Sequence, residues 1–337
     1  MDTVRTDFDP YLHDPLRWGA SMVHHSEVLL RCFDAVGARS VVEVGAYAGD
    51  LTRVLVDWAS RSGASATAID PSPQDSLVEL ASSHADLELI RRTSLEALPE
   101  IAPPDVLIID GDHNYYTVHE ELRVVGERAT DSELPLLLFH DVCWPHGRRD
   151  DYFAPEEIPA EYRHPVAGEG RGIFPGDPGT RADGLPYPRS ADREGGPRNG
   201  VLTAVEEFVG ERRQLSLAVV PSFFGLGAVW RQDAAWAQDI ARIIEPLDRN
   251  PLLARLEENR VLHIAQEHAL RVALWKAQER QTREEAVLTR MLESSAFAVA
   301  ERLSRLRVRS GIAPGQTMVS REEIRRAMAG SDGSPEL

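Results

Sequence analysis

At 337 residues with an ordinary apolar share of 42%, the chain is long enough for one large catalytic domain plus an appendage, and no apolar run reaches the length of a membrane span. The formal net charge of −17 argues against a nucleic-acid backbone as substrate, because phosphate binding needs a concentrated positive surface. Cys32 and Cys143 are too few and too far apart for a disulfide framework or a cysteine zinc site, and Met1–Pro10 lack a basic start followed by an apolar stretch. The expectation is a cytoplasmic protein with neither membrane nor nucleic acid as partner.

Residues 11–37 read as one or two helices, with Leu29, Leu30, Phe33 and Val36 as apolar positions and Gly37 as the stop. A different rhythm follows. Short β-branched or apolar runs at 40–44, 66–69, 87–90, 105–109 and 134–139 alternate with helical stretches at 51–60, 74–82 and 117–128. Strands alternating with helices of this length predict βαβ units around a parallel sheet buried on both faces. Residues 143–200 break the pattern: they are rich in Gly, Pro, Arg and Asp, with aromatics interleaved. A stretch of that length inside a domain predicts a lid or substrate loop rather than a linker. Its opening charges, Arg148 to Asp151, read as a solvated loop, and the turn from Glu194 to Gly200 as a candidate flap over an acceptor. A helix over 201–211 and strands over 215–220 and 226–230 close the sheet, the last pair as a hairpin with one antiparallel strand. Beyond residue 234 the chain reads as helical: one long helix from Pro251 towards Arg309, then a short one opened by the capping-box pattern Ser320-Arg-Glu-Glu323. The expected divisions are 1–37, 38–232 and 233–337, with 143–200 as an insertion in the middle one. The fold class is α/β, a Rossmann-like and mostly parallel seven-stranded sheet with an antiparallel terminal strand and a helical C-terminal arm. Self-association is expected through that arm.

The chemistry begins at Glu43-x-Gly45-x-x-x-Gly49, where the first strand meets the next helix. Glycines there let backbone approach a ligand, and the helix start offers free N–H groups. Ala46 and Tyr47 belong to the same turn. Asp70 ends the second strand, where a carboxylate can accept both hydroxyls of a ribose. Thr93-Ser94-Leu95-Glu96 follows the third strand and Asp110 closes the fourth, so polar residues end successive strands on the edge where open α/β sheets bind ligands. The glycine spacing departs from the Gly-x-Gly-x-x-Gly of dinucleotide enzymes, which disfavours an NAD-dependent oxidoreductase.

These residues resemble the class I S-adenosylmethionine (SAM)-dependent methyltransferases, within them the family of small-molecule and sugar O-methyltransferases of natural-product pathways. The resemblance covers roughly residues 38–232. It implies that Gly45 and Gly49 lie against the methionine moiety of SAM, that Asp70 holds the ribose, and that Ser94 lies near the adenine. Glu43 would support the turn and approach the methionine amino group.

A second constellation, Asp110-Gly-Asp112-His113-Asn-Tyr115-Tyr116 with His140-Asp141, ends two neighbouring strands. In metal-dependent relatives the matching strand ends hold Mg²⁺, which makes Asp110, His140 and Asp141 candidate metal ligands. His140 stands where a carboxylate is more common, and imidazole suits Mn, Fe or Zn better than Mg. Methyl transfer to oxygen needs a base with a pKa near neutrality. Some relatives use a lysine after the fourth strand, but Lys276 is the only lysine here. His113, with Asp112 beside it, is therefore the candidate catalytic group. The expected activity is O-methylation of a hydroxyl on a small metabolite or glycoside. N-methylation and a non-enzymatic SAM-binding scaffold with a working helical arm are the alternatives.

Overall fold

The computed structural model describes residues 21–128, 133–310 and 319–330. Contacts divide the chain into two units, Met1–His268 and Ala269–Leu337.

In the first unit, a 3₁₀ turn over Met22–His25 leads into helix α1 (Ser26–Val36), which ends at Gly37; the part of the expected helix before residue 21 lies outside the described residues. Then come β1 (Ser40–Val44), α2 (Asp50–Ser62), β2 (Ser65–Ile69), α3 (Asp75–Ser83), β3 (Leu87–Ile90), α4 (Ser94–Ala97), β4 (Val106–Ile109), α5 (Tyr115–Arg128) and β5 (Leu136–Phe139). A small hairpin, β6 (Gly172–Phe174) with β7 (Asp177–Arg181), lies within the insertion. Helix α6 (Val201–Gly210) precedes β8 (Leu215–Val220) and β9 (Leu226–Arg231), and α7 (Ala237–Ile244) follows.

The main sheet has seven strands in the order β3-β2-β1-β4-β5-β9-β8. The first five are parallel; β9 runs antiparallel to β5 and to β8. Strands β4 (Val-Leu-Ile-Ile) and β5 (Leu-Leu-Leu-Phe) are buried at every position, the mark of a sheet covered on both faces. One covering layer packs Leu29 and Phe33 of α1, Leu55 and Trp58 of α2, and Ile240 of α7. The other packs Tyr115, Val118 and Leu122 of α5 with Val205 and Phe208 of α6. Every parallel strand therefore ends on one edge, so the loops after β1, β2, β3 and β4 converge there.

The insertion is ordered, and its opening charges are not a solvated loop. Arg149 and Asp150 are both fully buried. The Arg149 guanidinium donates to the carbonyls of Ala191, Pro178 and Gly179. Asp150 accepts from the Tyr115 and Gly200 N–H groups and from the Tyr152 hydroxyl. Without a regular ladder, an irregular segment must satisfy its backbone with side chains, and these two charges do that. The turn expected to flap over an acceptor is used here instead: Asn199 accepts from the Asp150 N–H, and a Cβ at Gly200 would lie 2.5 Å from the Arg149 nitrogen.

Helix α8 (Pro251–Glu293) begins in the first unit, where Val261 and Ala265 are buried, and runs on into the second. The single helix expected to reach Arg309 is two, because Ser294 adopts extended backbone and its hydroxyl caps α9 (Ser295–Arg309) at Phe297. Serine offers the chain that alternative to an intrahelical bond. Helix α10 (Arg321–Gly330) starts with the expected capping box between Ser320 and Glu323. In the second unit Leu270, Leu274, Met291, Val299, Leu303 and Leu306 are exposed. Among the described residues no helix is long and apolar enough to cross a membrane.

Candidate functional site

The β1–α2 turn is shaped by positive φ at Gly45, Tyr47 and Gly49 (86°, 43° and 83°). Gly45 has a second reason to lack a side chain: a Cβ there would lie 2.1 Å from the carbonyl oxygen of Asp110. The ends of β1 and β4 thus approach more closely than any other residue allows. Asp70 ties the turn to β2, one carboxylate oxygen accepting from the Tyr47 N–H at 2.7 Å and the other from the Ser72 N–H at 2.7 Å. Glu43 is buried and accepts from the Thr52 hydroxyl at 2.6 Å. Burial, reinforced by Asp110, Asp70 and Asp50, pushes its carboxyl up to about 8.

These loops enclose a cavity of about 550 Å³, a size typical of small-molecule sites. Glu43, Gly45, Ala46, Tyr47, Asp70, Ser94, Asp110, Asp112 and His113 all line it. Gly49 does not: a Cβ there would meet Leu77 at 3.3 Å, so this glycine serves the packing of α3 on the turn. Ser94 stands in α4, which opens with a capping box between Thr93 and Glu96. Behind it Glu121 is fully buried, and burial raises its carboxyl to about 8.

At the β4 edge, His113 Nδ1 lies 3.3 Å from an Asp141 oxygen. Its ring stacks on His146 with centroids 5.1 Å apart. Burial alone lowers the His113 pKa, but the carboxylates of Asp141, Asp110 and Asp151 outweigh it and hold the imidazole above its ordinary value. Asp112, in the same cavity wall, has both oxygens engaged. They accept from the Phe153 N–H and the Thr117 hydroxyl, so it fastens the insertion to α5.

His140 is wholly buried beneath this edge. Nδ1 faces Asp110 at 3.0 Å and Asp141 at 3.2 Å, while Nε2 donates to the Phe223 carbonyl at 2.9 Å. Burial disfavours its charge, yet the two carboxylates raise its pKa well above the usual value; both ring nitrogens face acceptors, which only an imidazolium satisfies without a metal. Asp141 is held correspondingly low against its own burial by His140 and His113. It reaches both rings from a left-handed backbone, φ 56°. One oxygen each of Asp110 and Asp141 and one nitrogen of His140 lie within 4.8 Å of one another.

Two contributors have no motif in the sequence. The Phe223 carbonyl belongs to the β8–β9 turn, where Phe223 and Phe224 both have positive φ (47° and 66°). Their consecutive N–H groups donate to the two oxygens of Glu257 on α8, at 3.0 and 2.7 Å, a backbone nest for an anion. Arg260 donates to both Glu257 oxygens. The second contributor is the segment Phe153 to Ile158, which closes one end of the cavity. Alternation of charges in the turn before it, and residues scattered through α8, carried no pattern from which either could be read.

The segment 42–142, which holds most of β1, all of β2 to β5 and the loops after β1 to β4, matches the family model of a methyltransferase domain. The full sheet runs beyond that segment into β9 and β8, and its order, with β9 antiparallel near the far edge, is the Rossmann-like, mostly parallel arrangement expected from the sequence. No curated protein sequence matches the chain. Among solved structures, an SAH-bound methyltransferase of Podospora anserina, PaMTH1, aligns at 13% identity and a TM-score of 0.37, over 67% of this chain and 89% of its own. An O-methyltransferase family protein from Burkholderia thailandensis aligns at 12% identity and 0.37, over 67% of this chain and 62% of its own. A cofactor-bound protein from MTB aligns at 15% identity and 0.36, over 69% and 94%.

Proposed function

We propose that this methyltransferase domain transfers the methyl group of SAM to a hydroxyl of a small metabolite or glycoside, with His113 as general base. The observation that carries the reading is the His113–Asp141 pair at the cavity wall. Asp141 accepts from Nδ1–H, leaving Nε2 as the basic atom of the neutral imidazole, and it stabilises the imidazolium formed when the acceptor proton arrives. SAM supplies an electrophilic methyl on a sulfonium. As the acceptor oxygen bonds to that methyl and the sulfur–carbon bond breaks, the hydroxyl proton passes to Nε2 of His113. The products are the methyl ether and S-adenosylhomocysteine.

Glu43, Gly45, Ala46, Tyr47, Asp70, Ser94 and Asp110, which line the cavity, are the residues assigned to SAM. The Asp70 oxygens each keep a lone pair for a ribose hydroxyl. Glu43 would meet the methionine ammonium. A pure binding scaffold has no use for the His113–Asp141–His140 chain, which favours an enzyme over that alternative.

Asp110, His140 and Asp141 also fit a divalent ion. Their donor atoms converge, and the Phe223 carbonyl fixes the His140 ring with Nδ1 inward, the outer-shell bond that metal-ligating histidines make. The nitrogen in the set suits Mn, Fe or Zn better than Mg. Such an ion would supply Lewis acidity that eases ionisation of the acceptor hydroxyl.

The deciding experiment is His113→Ala assayed with labelled SAM against a panel of hydroxylated acceptors. Turnover should fall about 10²- to 10⁴-fold, the range for a lost general base, while calorimetric SAM affinity stays within about twofold. Near-normal turnover would remove His113 from the mechanism. Loss of SAM binding in the wild type would remove the cofactor assignment.

A further inference from the structure

The cavity wall has two chemically distinct ends. Towards β1 and β2 lie Glu43 and Asp70, both engaged by neighbouring groups. Towards β4 the wall is built by Tyr116 of α5 and by Phe153, Glu157 and Ile158 of the insertion. That second wall is fixed in place. The Phe153 N–H donates to Asp112, the Asp151 N–H donates to the His113 carbonyl at 3.0 Å, Arg189 donates to the Phe153 carbonyl, and Ile158 is buried. Phe153 nevertheless leaves 57% of its surface open, which is unusual for an anchored aromatic residue and leaves a ring face without a stacking or cation–π partner among the described residues.

Charge decides what that face can meet. Six carboxylate side chains line the cavity, from Glu43, Asp50, Asp70, Asp110, Asp112 and Glu157. The chain carries 37 Lys and Arg residues, yet among the described residues none lines it. In a cleft walled by protein, acidic groups that outnumber the one lining imidazole favour a cation in whatever enters. SAM accounts for the carboxylates at the β1 end, and Asp112 is occupied by Phe153 and Thr117. The Glu157 carboxylate, in contrast, has no hydrogen-bond or ion-pair partner among the described residues. A carboxylate without a protein partner on the same wall as the open Phe153 ring, with Tyr116 held there by its contact with Tyr162, is the chemistry that holds an ammonium group, through ion pairing and cation–π attraction.

We propose that the β4 end of the cavity is an acceptor subsite for a hydroxylated ring compound bearing a protonated amine, with Glu157 as the amine's partner and Phe153 and Tyr116 as the wall against which the ring lies. This rests on the methyltransferase reading above and specifies its acceptor. The amine is the handle and not the nucleophile: held as an ammonium it has no lone pair, so a hydroxyl of the same ring is left to face His113. A carboxylate or phosphate at the same position would meet the like charge of Glu157 instead.

The test uses the full chain and matched acceptors. An aminocyclitol glycoside and its N-acetylated counterpart are compared with a phenolic carboxylate, using labelled SAM, after SAM binding has been established by calorimetry. Turnover of the free amine is expected, with kcat/KM at least about tenfold above that of its N-acetyl counterpart and the difference residing in KM. Glu157→Gln should remove that preference by raising KM for the amine about tenfold. Preference for the phenolic carboxylate, equal use of amine and amide, no turnover of the amine, or an unchanged KM in Glu157→Gln each overturns the proposal. Normal SAM binding with any of those outcomes refutes the subsite alone, whereas absent SAM binding refutes the reading beneath it.

Discussion

Glu257 lies outside every motif and yet holds two consecutive residues in left-handed backbone. Its carboxylate accepts from the Phe223 and Phe224 N–H groups at 3.0 and 2.7 Å, and those two residues have φ of 47° and 66°. Left-handed backbone at a bulky residue costs roughly 1–2 kcal/mol, so the turn depends on what binds its N–H groups. Hydrogen bonds to a charged acceptor contribute about 1.5–3 kcal/mol each. Glu257→Ala should therefore destabilise by about 3–6 kcal/mol, and Arg260 loses its partner as well. At the ~2–4 °C per kcal/mol expected of a unit this size, the lower figure already lowers Tm by about 6–12 °C. Glu257→Gln keeps one acceptor oxygen and should lose about half as much. Strain can be separated from bonding by a double-mutant cycle. In a Phe223→Gly background the left-handed turn is unstrained, so Glu257→Ala should be milder there by about 1 kcal/mol. The assay is thermal melting by circular dichroism. A Glu257→Ala melt within about 2 °C of wild type, or strict additivity in the cycle, would refute the claim that this carboxylate holds the turn. Turnover should fall further than stability alone explains, because the Phe223 carbonyl orients His140.

Three more outcomes follow from the geometry. Burial raises Glu43 to about 8, so the apo protein carries it protonated at pH 7, and contact with the SAM ammonium should expel that proton. Binding enthalpies measured in phosphate and in Tris should differ accordingly; identical values would place the ammonium elsewhere. The same shift has a stability sign. The folded pKa lies above the unfolded one, so its contribution is full below about 4.5 and is lost as pH rises through about 8, a slope that Glu43→Gln should abolish in pH-dependent melts. Gly45→Ala would set a methyl 2.1 Å from the Asp110 carbonyl at a φ of 86°; SAM titration should show at least about a tenfold loss of affinity, and normal binding would mean the β1 and β4 ends can part freely. Asp150→Ala leaves the buried N–H groups of Tyr115 and Gly200 without their acceptor, which at ~1–3 kcal/mol apiece should expose 153–190 to limited proteolysis; resistance equal to wild type would show that other contacts hold the insertion.

The residues that make the cofactor end of the site were legible because each follows a strand at fixed spacing. The parallel strands could be recognised from runs such as Val106 to Ile109, and parallel strands must end on one edge, so Glu43, Asp70, Ser94 and Asp110 were bound to converge. Gly49 has a further use that no spacing shows: a glycine in a strand–helix turn can serve a ligand or a neighbouring helix, and Leu77 at 3.3 Å from its absent Cβ is a contact made only in the fold. The charges at 148–151 were misread because sequence shows charge but not burial. Arg149 and Asp150 look solvated until the carbonyls of Ala191 and Pro178 and the amides of Tyr115 and Gly200 are brought around them.

Alternation of strand and helix, the glycine turn and the acidic strand ends thus determine the class of fold and the edge on which a ligand sits, because period and spacing are properties of the chain alone. Which way His113 faces, what occupies both nitrogens of His140, and that Glu257 from α8 secures the turn behind them were decided only in three dimensions. Those partners are separated by 28 residues between His113 and Asp141 and by 34 between Phe223 and Glu257. No local pattern spans such distances; the packing of α8 and the β8–β9 turn against the strand ends does.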